Sequence, residues 1–220
     1  MSNTKHVSDD VKRGFTEIIV VRHGETAANS MGVLQGQLDS ELSAEGVAQA
    51  EMLACRISGE CFDAVYSSDL SRTIATAKII TGGRLEIYHT PELREWHLGE
   101  LENISYEEAR KRFPDVMEDF KNDAGDIIIP AGESKLEFYK RIAAFLDTLT
   151  EHHPGQRLLL VTHGGVLQAM LKHVLGSGNN WNFLPRSSNT GYNKFVFRED
   201  VWQLCCWNDT SHIKGSTAEL

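Results

Sequence analysis

Two short apolar runs, EIIVV at residues 17–21 and RLLLVT at 157–162, each lead into a histidine followed by glycine, the first by way of Arg22. The first delivers Arg22-His23-Gly24 and the second delivers His163-Gly164-Gly165. Runs this short, with almost no polar alternation, predict strands covered on both faces, as in a parallel sheet packed between helices. No other feature of the chain restricts its fold as much.

The segments between and around these runs agree with that reading. Ser43 can cap a helix whose apolar positions Val47, Ala50, Ala54 and Ile57 recur at helical spacing. Asp63–Ser67 predicts a second strand. A helix from about Asp69 follows, carrying Leu70, Ile74, Ala77 and Ile80 and stopped by Gly82-Gly83. Leu85–Tyr88 predicts a third strand. Ser105 with Glu108 fits a capping box. Pro130-Ala131-Gly132 breaks the chain before a long helix that turns Phe138, Ile142, Phe145 and Leu149 inward and ends at His153-Pro154-Gly155. A helix from about Val166 to Leu175 is closed by Gly176, and Tyr192–Phe197 with Val201–Trp207 reads as a closing hairpin. Strands separated by helices imply a three-layer α/β/α sandwich with a mostly parallel sheet and an antiparallel edge. Residues 16–208 are expected to form one domain, between a mobile arm at 1–15 and a tail at 209–220.

Composition narrows the function classes. With 220 residues, 41% hydrophobic and 24% charged, the chain can bury one large core. No apolar run is long enough to cross a bilayer and no signal segment opens the chain, so a cytoplasmic protein is expected. A net charge of −9 disfavours nucleic acid or an acidic membrane surface as partner. It also requires that any phosphorylated ligand be met by a local positive pocket. Cys55, Cys61 and the adjacent Cys205-Cys206 form no paired motif and are read as buried or half-buried thiols. The hairpin's edge strand is the one surface offered to a second copy, as a possible homodimer.

In sheets of this kind, sites form at the carboxyl ends of the strands. The first strand brings Arg22, His23 and Gly24 there, the second brings Arg72 one turn into its helix, and RLLLVT brings His163 and Gly164. Two histidines and two arginines converging on one rim suit phosphoryl transfer. The transferred group spreads negative charge over three oxygens, which arginine forks hold, while a neutral imidazole serves as nucleophile. The glycines let the backbone approach a phosphate and offer helix-start amides to it. A leaving alkoxide needs a proton, and Glu95 in LREW is placed to give it if its loop folds over the same rim. Glu25 and Glu100 are the competing carboxylates, and a plain ion pair of Glu95 with Arg94 is the bland alternative. Trp96 is the tryptophan best placed to touch substrate.

Taken in order, RHGET with Asn29, Gln35-Gly36, YSSDLSRTIATA with Arg72, LRE with Glu95, GES at 132–134 and VTHGG with His163 resemble the histidine phosphatase superfamily, also called the phosphoglycerate mutase-like family. The resemblance runs from Ile18 to about Trp207. It implies a phosphohistidine on His23 and a phosphate pocket made by Arg22, Arg72 and His163 with Asn29 as a hydrogen-bonding partner. It implies Glu95 as the proton donor, which then helps activate water. The substrate- and phosphate-binding set expected is Arg22, Gly24, Asn29, Gln35, Gly36, Arg72, His163 and Gly164, with no metal and no other cofactor. Two departures stand out: Ala28 where the family often has tryptophan, and Leu98-Gly99-Glu100-Leu101-Glu102-Asn103 where many phosphatases place glycine after the turn.

Three functions are expected to compete. The first is a phosphatase acting on a small phosphorylated metabolite such as a sugar phosphate. The second is a phosphoglycerate mutase, which usually has a longer insertion than the 68 positions from Glu95 to His163, although Arg110-Lys111-Arg112 supplies basic groups. The third is a non-catalytic phospholigand binder, disfavoured because nucleophile, arginines and acid are all retained.

Overall fold

The computed structural model describes residues 14–122, 125–176 and 185–213. Most of the expected N-terminal arm, and of the tail beyond Ile213, lies outside the described residues. In chain order the elements are β1 (Thr16–Arg22), α1 (Ala27–Ser30), α2 (Ala44–Arg56), β2 (Ala64–Ser68), α3 (Ser71–Thr81), β3 (Ile87–Thr90), α4 (Tyr106–Arg112), α5 (Pro114–Asn122), α6 (Lys135–His152), β4 (Arg157–Thr162), α7 (Gly164–Val174), β5 (Tyr192–Arg198) and β6 (Val201–Asp209). Two single 3₁₀ turns, Pro91–Leu93 and Gly99–Leu101, interrupt the segment between β3 and α4.

The sheet runs β3-β2-β4-β1-β5-β6. β1, β2, β3 and β4 are mutually parallel, while β5 is antiparallel to both β1 and β6. This is the expected sandwich with its antiparallel edge. Side chains alternate across a strand, so both faces of β1 and β4 must be covered. Ile18, Val20, Leu158 and Leu160 pack under α6 and α7 with Phe138, Ile142, Val166 and Met170. Ile19, Val21, Leu159 and Val161 pack on the other face against Ala50 and Leu53 of α2 and Ala77 and Ile80 of α3. Each of these eight strand residues is fully buried, contributing about 1.5–3 kcal/mol apiece.

Caps set the helix ends. Ser43, Ser105 and Ser134 each accept an amide from the third residue of the helix they start. The reciprocal half of the box is made at Ser134, by Glu137, rather than at Ser105. Gly82 closes α3 in the left-handed region. The β5–β6 turn places Glu199 and Asp200 both at positive φ, which matches the twist of the strands it joins.

Several expectations shift. Val47 is exposed, and Leu53 takes its place in the core. Phe145 is only partly buried, with Leu146 facing inward. The third strand lies at Ile87–Thr90, two residues later than expected, because a half-exposed edge strand leaves no apolar run to mark it. α7 starts at Gly164, directly on the glycine pair, and α5 was not anticipated. Cys55, Cys61 and Cys205 are exposed, on an outer helix face, a loop and the edge strand. Asp209, expected to begin the tail, ends β6 and is held by Arg56 at 2.5 Å. Among the described residues no helix is long and apolar enough to cross a membrane.

Candidate active site

Arg22 and Thr162 are partners in the parallel β1–β4 register. The next residue on each strand, His23 and His163, therefore leaves the sheet side by side, with ring centroids 5.2 Å apart. Both rings are buried, at 3% and 0% exposure. From β2, one strand further along, the chain enters α3, and Arg72 in its first turn is buried against the same rim. The convergence expected from sequence is present.

The His23 ring is oriented by its own turn. Its Nδ1 lies 2.7 Å from the Gly24 carbonyl oxygen. A carbonyl can only accept, so Nδ1 carries the proton and Nε2 holds the free lone pair. Burial, with Arg22 and Arg72 adding to it, holds the imidazole pKa well below its usual 6.5. His163 is depressed in the same way, by burial first and then by Arg72 and His23.

The two guanidinium groups are held differently. Arg72 donates from Nη1 to the Leu38 carbonyl at 2.7 Å, from Nη2 to the Gly36 carbonyl at 2.8 Å, and from Nε to His163 Nδ1 at 3.2 Å. Arg22 donates from Nη1 to the Ser187 carbonyl at 2.7 Å, while its buried Nε has no hydrogen-bond partner among the described residues. A buried donor left in that state is costly unless something bound there accepts from it. Desolvation lowers the pKa of both arginines, yet both remain cations at any working pH.

His163 differs from expectation in detail. Arginine Nε only donates, so His163 Nδ1 is the acceptor and its Nε2–H faces the Ser68 oxygen at 3.0 Å. Both ring nitrogens are engaged, and in this geometry His163 orients Arg72.

Glu95 does fold over the rim. Its Oε2 accepts from the Gly165 amide at 3.0 Å and its Oε1 from the Trp96 amide at 2.9 Å. The fit is close: a Cβ on Gly165 would sit 2.3 Å from Glu95 Oε1. Arg94 pairs instead with Asp69 through two contacts of 2.6 Å, which removes the bland reading of Glu95. Of the competing carboxylates, Glu25 is bonded to Ser43 at 2.8 Å and Glu100 is exposed.

The remaining expected residues are fixed by contacts of their own. The Gly24 amide donates to Thr76 at 3.0 Å, so it is not turned toward a bound group as expected. Asn29 Oδ1 accepts from the Thr26 amide within a capping box that starts α1, and Gln35 Nε2 donates to Thr26 Oγ1 at 2.8 Å. Gly36 sits at φ 54 with Glu102 pressed against it, so no side chain fits there. Gly164 lies beside the Arg22 guanidinium. Asn103, at the family's glycine position, adopts φ 62, a conformation asparagine tolerates better than most residues.

Sequence reasoning missed the residues that pin the acid loop. Arg141 of α6 donates from Nη1 to the carbonyls of Glu92 and Arg94 and grips Glu133 through Nε and Nη2. Thr162 Oγ1 donates to the Leu93 carbonyl at 2.8 Å, tying the same loop to the end of β4. Glu133, in the GES motif, was the only available signal. Among the described residues no three His, Cys, Asp or Glu gather as a metal site would need.

Comparison with known proteins agrees with this geometry. The sequence pattern of the histidine phosphatase superfamily (branch 1) matches residues 18–210. The chain is 37% identical over 219 residues to phosphoglycerate mutase-like protein 4 of Arabidopsis thaliana, covering 97% of this chain and 93% of that one. It is 35% identical over 214 residues to the metal-independent phosphoserine phosphatase of the same plant, covering 94% and 88%. Its fold superposes on the α-ribazole phosphatase of Shigella flexneri with a TM-score of 0.81, at 26% identity and with 88% and 96% of the two chains covered. The chain belongs to the histidine phosphatase superfamily, branch 1.

Proposed function

We propose that this chain is a phosphatase that hydrolyses a small phosphorylated metabolite through a phosphohistidine on His23. The observation that carries this is the His23 ring itself: buried, kept neutral beside two arginines, and locked by Gly24 so that Nε2 is the free nitrogen. In the first step Nε2 forms a bond to phosphorus as the bond to the leaving oxygen breaks, and Glu95 gives that oxygen its proton. In the second, water attacks phosphorus, Glu95 takes the water proton, the phosphorus–nitrogen bond breaks and His23 is neutral again. Arg22 and Arg72 hold the three phosphoryl oxygens throughout, the kind of preorganised charge that lowers such barriers most. His163 keeps Arg72 in place. Two of the relatives above are phosphatases by name, which supports the hydrolytic outcome.

Relatives named for the mutase favour the mutase reading: the Arabidopsis protein at 37% identity and a probable phosphoglycerate mutase of Yersinia pestis at 34%. Against it, Lys111 is paired with Glu107 on an exposed helix face, and Arg112 lies over Phe113. An assay of 3-phosphoglycerate that follows phosphate release and 2-phosphoglycerate together separates the two. Phosphate release from this or other monoesters, without accumulation of the 2-isomer, is expected. Isomer formed faster than phosphate from any ester would overturn the proposal.

A further inference from the structure

Glu95 and Gly165 also form part of the wall of a cavity of about 300 Å³. The rest of that wall is built mainly by Leu34, Trp96, Leu98, Met117, Phe120 and Phe138. Trp96 stacks on Phe138 with centroids 5.4 Å apart and rings nearly parallel, and lies against Phe120 at 4.9 Å. Its indole N–H is spent on the Glu133 carbonyl at 2.9 Å, so the ring is what it offers the cavity. The Tyr139 hydroxyl, also in the lining, accepts from Lys172 Nζ at 2.8 Å. Among the described residues Glu95 is the one charged residue in the lining, which does not include Arg110, Lys111 or Arg112. The cavity is at the small end of the range for small-molecule sites.

A group that hands its proton to the leaving oxygen must border the space where the leaving alcohol sits. We propose that this cavity receives that alcohol, and that it selects monoesters of neutral, apolar alcohols, aromatic or alkyl, over esters whose alcohol carries a carboxylate. This rests on the phosphatase reading above. An apolar body gains by leaving water, whereas a carboxylate would lose its hydration against a wall that is mostly apolar, whose polar side chains are the neutral Tyr106, Tyr139 and Gln168 and the like-charged Glu95.

The test is kcat/KM, by phosphate release from the intact protein, over n-alkyl monophosphates from ethyl to hexyl, with 2-phenylethyl phosphate, phosphoserine and 3-phosphoglycerate. Keeping to alkyl esters holds leaving-group chemistry nearly constant. A rise of roughly two- to fourfold per added methylene is expected until the cavity fills, with 2-phenylethyl phosphate at least about tenfold above both carboxylate esters. Met117→Glu should flatten the chain-length slope, and a thermal melt checks that the variant folds. Hydrolysis with no chain-length slope, or faster hydrolysis of phosphoserine or 3-phosphoglycerate than of the phenylethyl ester, would overturn this inference and leave the phosphatase reading standing. No hydrolysis of any ester would overturn both.

Discussion

At the scale of single residues, His23 and His163 tie function to stability through the same burial. Both have pKa values well below 6.5 in the folded chain, for which burial is the largest cause. Unfolding releases them to ordinary values, so below about pH 6.5 the unfolded chain binds protons that the folded chain does not. Their contribution to stability is therefore complete above about pH 6.5 and declines as pH falls, by up to about 1.4 kcal/mol per pH unit for each histidine. Urea melts between about pH 5 and pH 8 should show that loss on the acid side, and a flat profile would contradict it. Activity should respond differently: because the nucleophile stays neutral, kcat/KM should show no acid limb from it near pH 6.5. Glu95 has its own signature. Glu95→Gln should slow alkyl phosphates by about 10²–10⁴ while largely sparing activated aryl phosphates, since only the former need a proton on the leaving oxygen. Equal loss on both would remove Glu95 from that role.

At the scale of elements, the site depends on how two loops are pinned to the sheet. The segment with Glu95 is held by Arg141 from α6 and Thr162 from β4, and the segment with Gly36 is held by Arg72 and Glu102. Arg141→Met removes the fork on Glu133 and the bonds to the Glu92, Arg94 and Glu95 carbonyls while leaving every rim side chain in place. About a tenfold lower kcat/KM on alkyl esters is expected, with aryl esters affected less, as for a group that positions the acid. Equal loss on both ester types would mean that Arg141 serves the fold rather than Glu95. The contrast with sequence reading is instructive here. His23, Arg72 and His163 were legible because short-range patterning fixed their strand ends and the sheet did the rest. Arg141 was not, because its carbonyl partners lie 46, 47 and 49 positions away and carbonyls leave no mark on sequence. Nor was α5, which has no fully buried residue and packs against loops through Val116, Met117 and Phe120.

At the scale of the whole molecule, the two-faced sheet is the rigid support for the rim. Leu160 at the centre of β4 is fully buried among residues of β1, α6 and α7. Leu160→Ala should lower unfolding free energy by about 2–5 kcal/mol, read as a reduced denaturant midpoint at unchanged m-value. A loss under about 1 kcal/mol would mean that the core closes over the gap. The unbroken apolar run that made β4 readable is what this substitution weakens on one face. The β3 edge was less readable: it lacks a buried face and its residues Ile87–Thr90 mix both kinds. The apolar cavity beside Glu95 was unreadable from sequence as a unit, since its wall joins residues as far apart as Leu34 and Gln168.

The bond that forms between phosphorus and His23 is the step on which all of this chemistry depends. Brief incubation with a ³²P-labelled monoester, a quench that avoids acid, and peptide mapping would locate the label. Phosphate on His23 Nε2, lost in His23→Ala together with turnover and longer-lived in Glu95→Gln, is the predicted result. Full turnover by His23→Ala, or label on another residue, would contradict it.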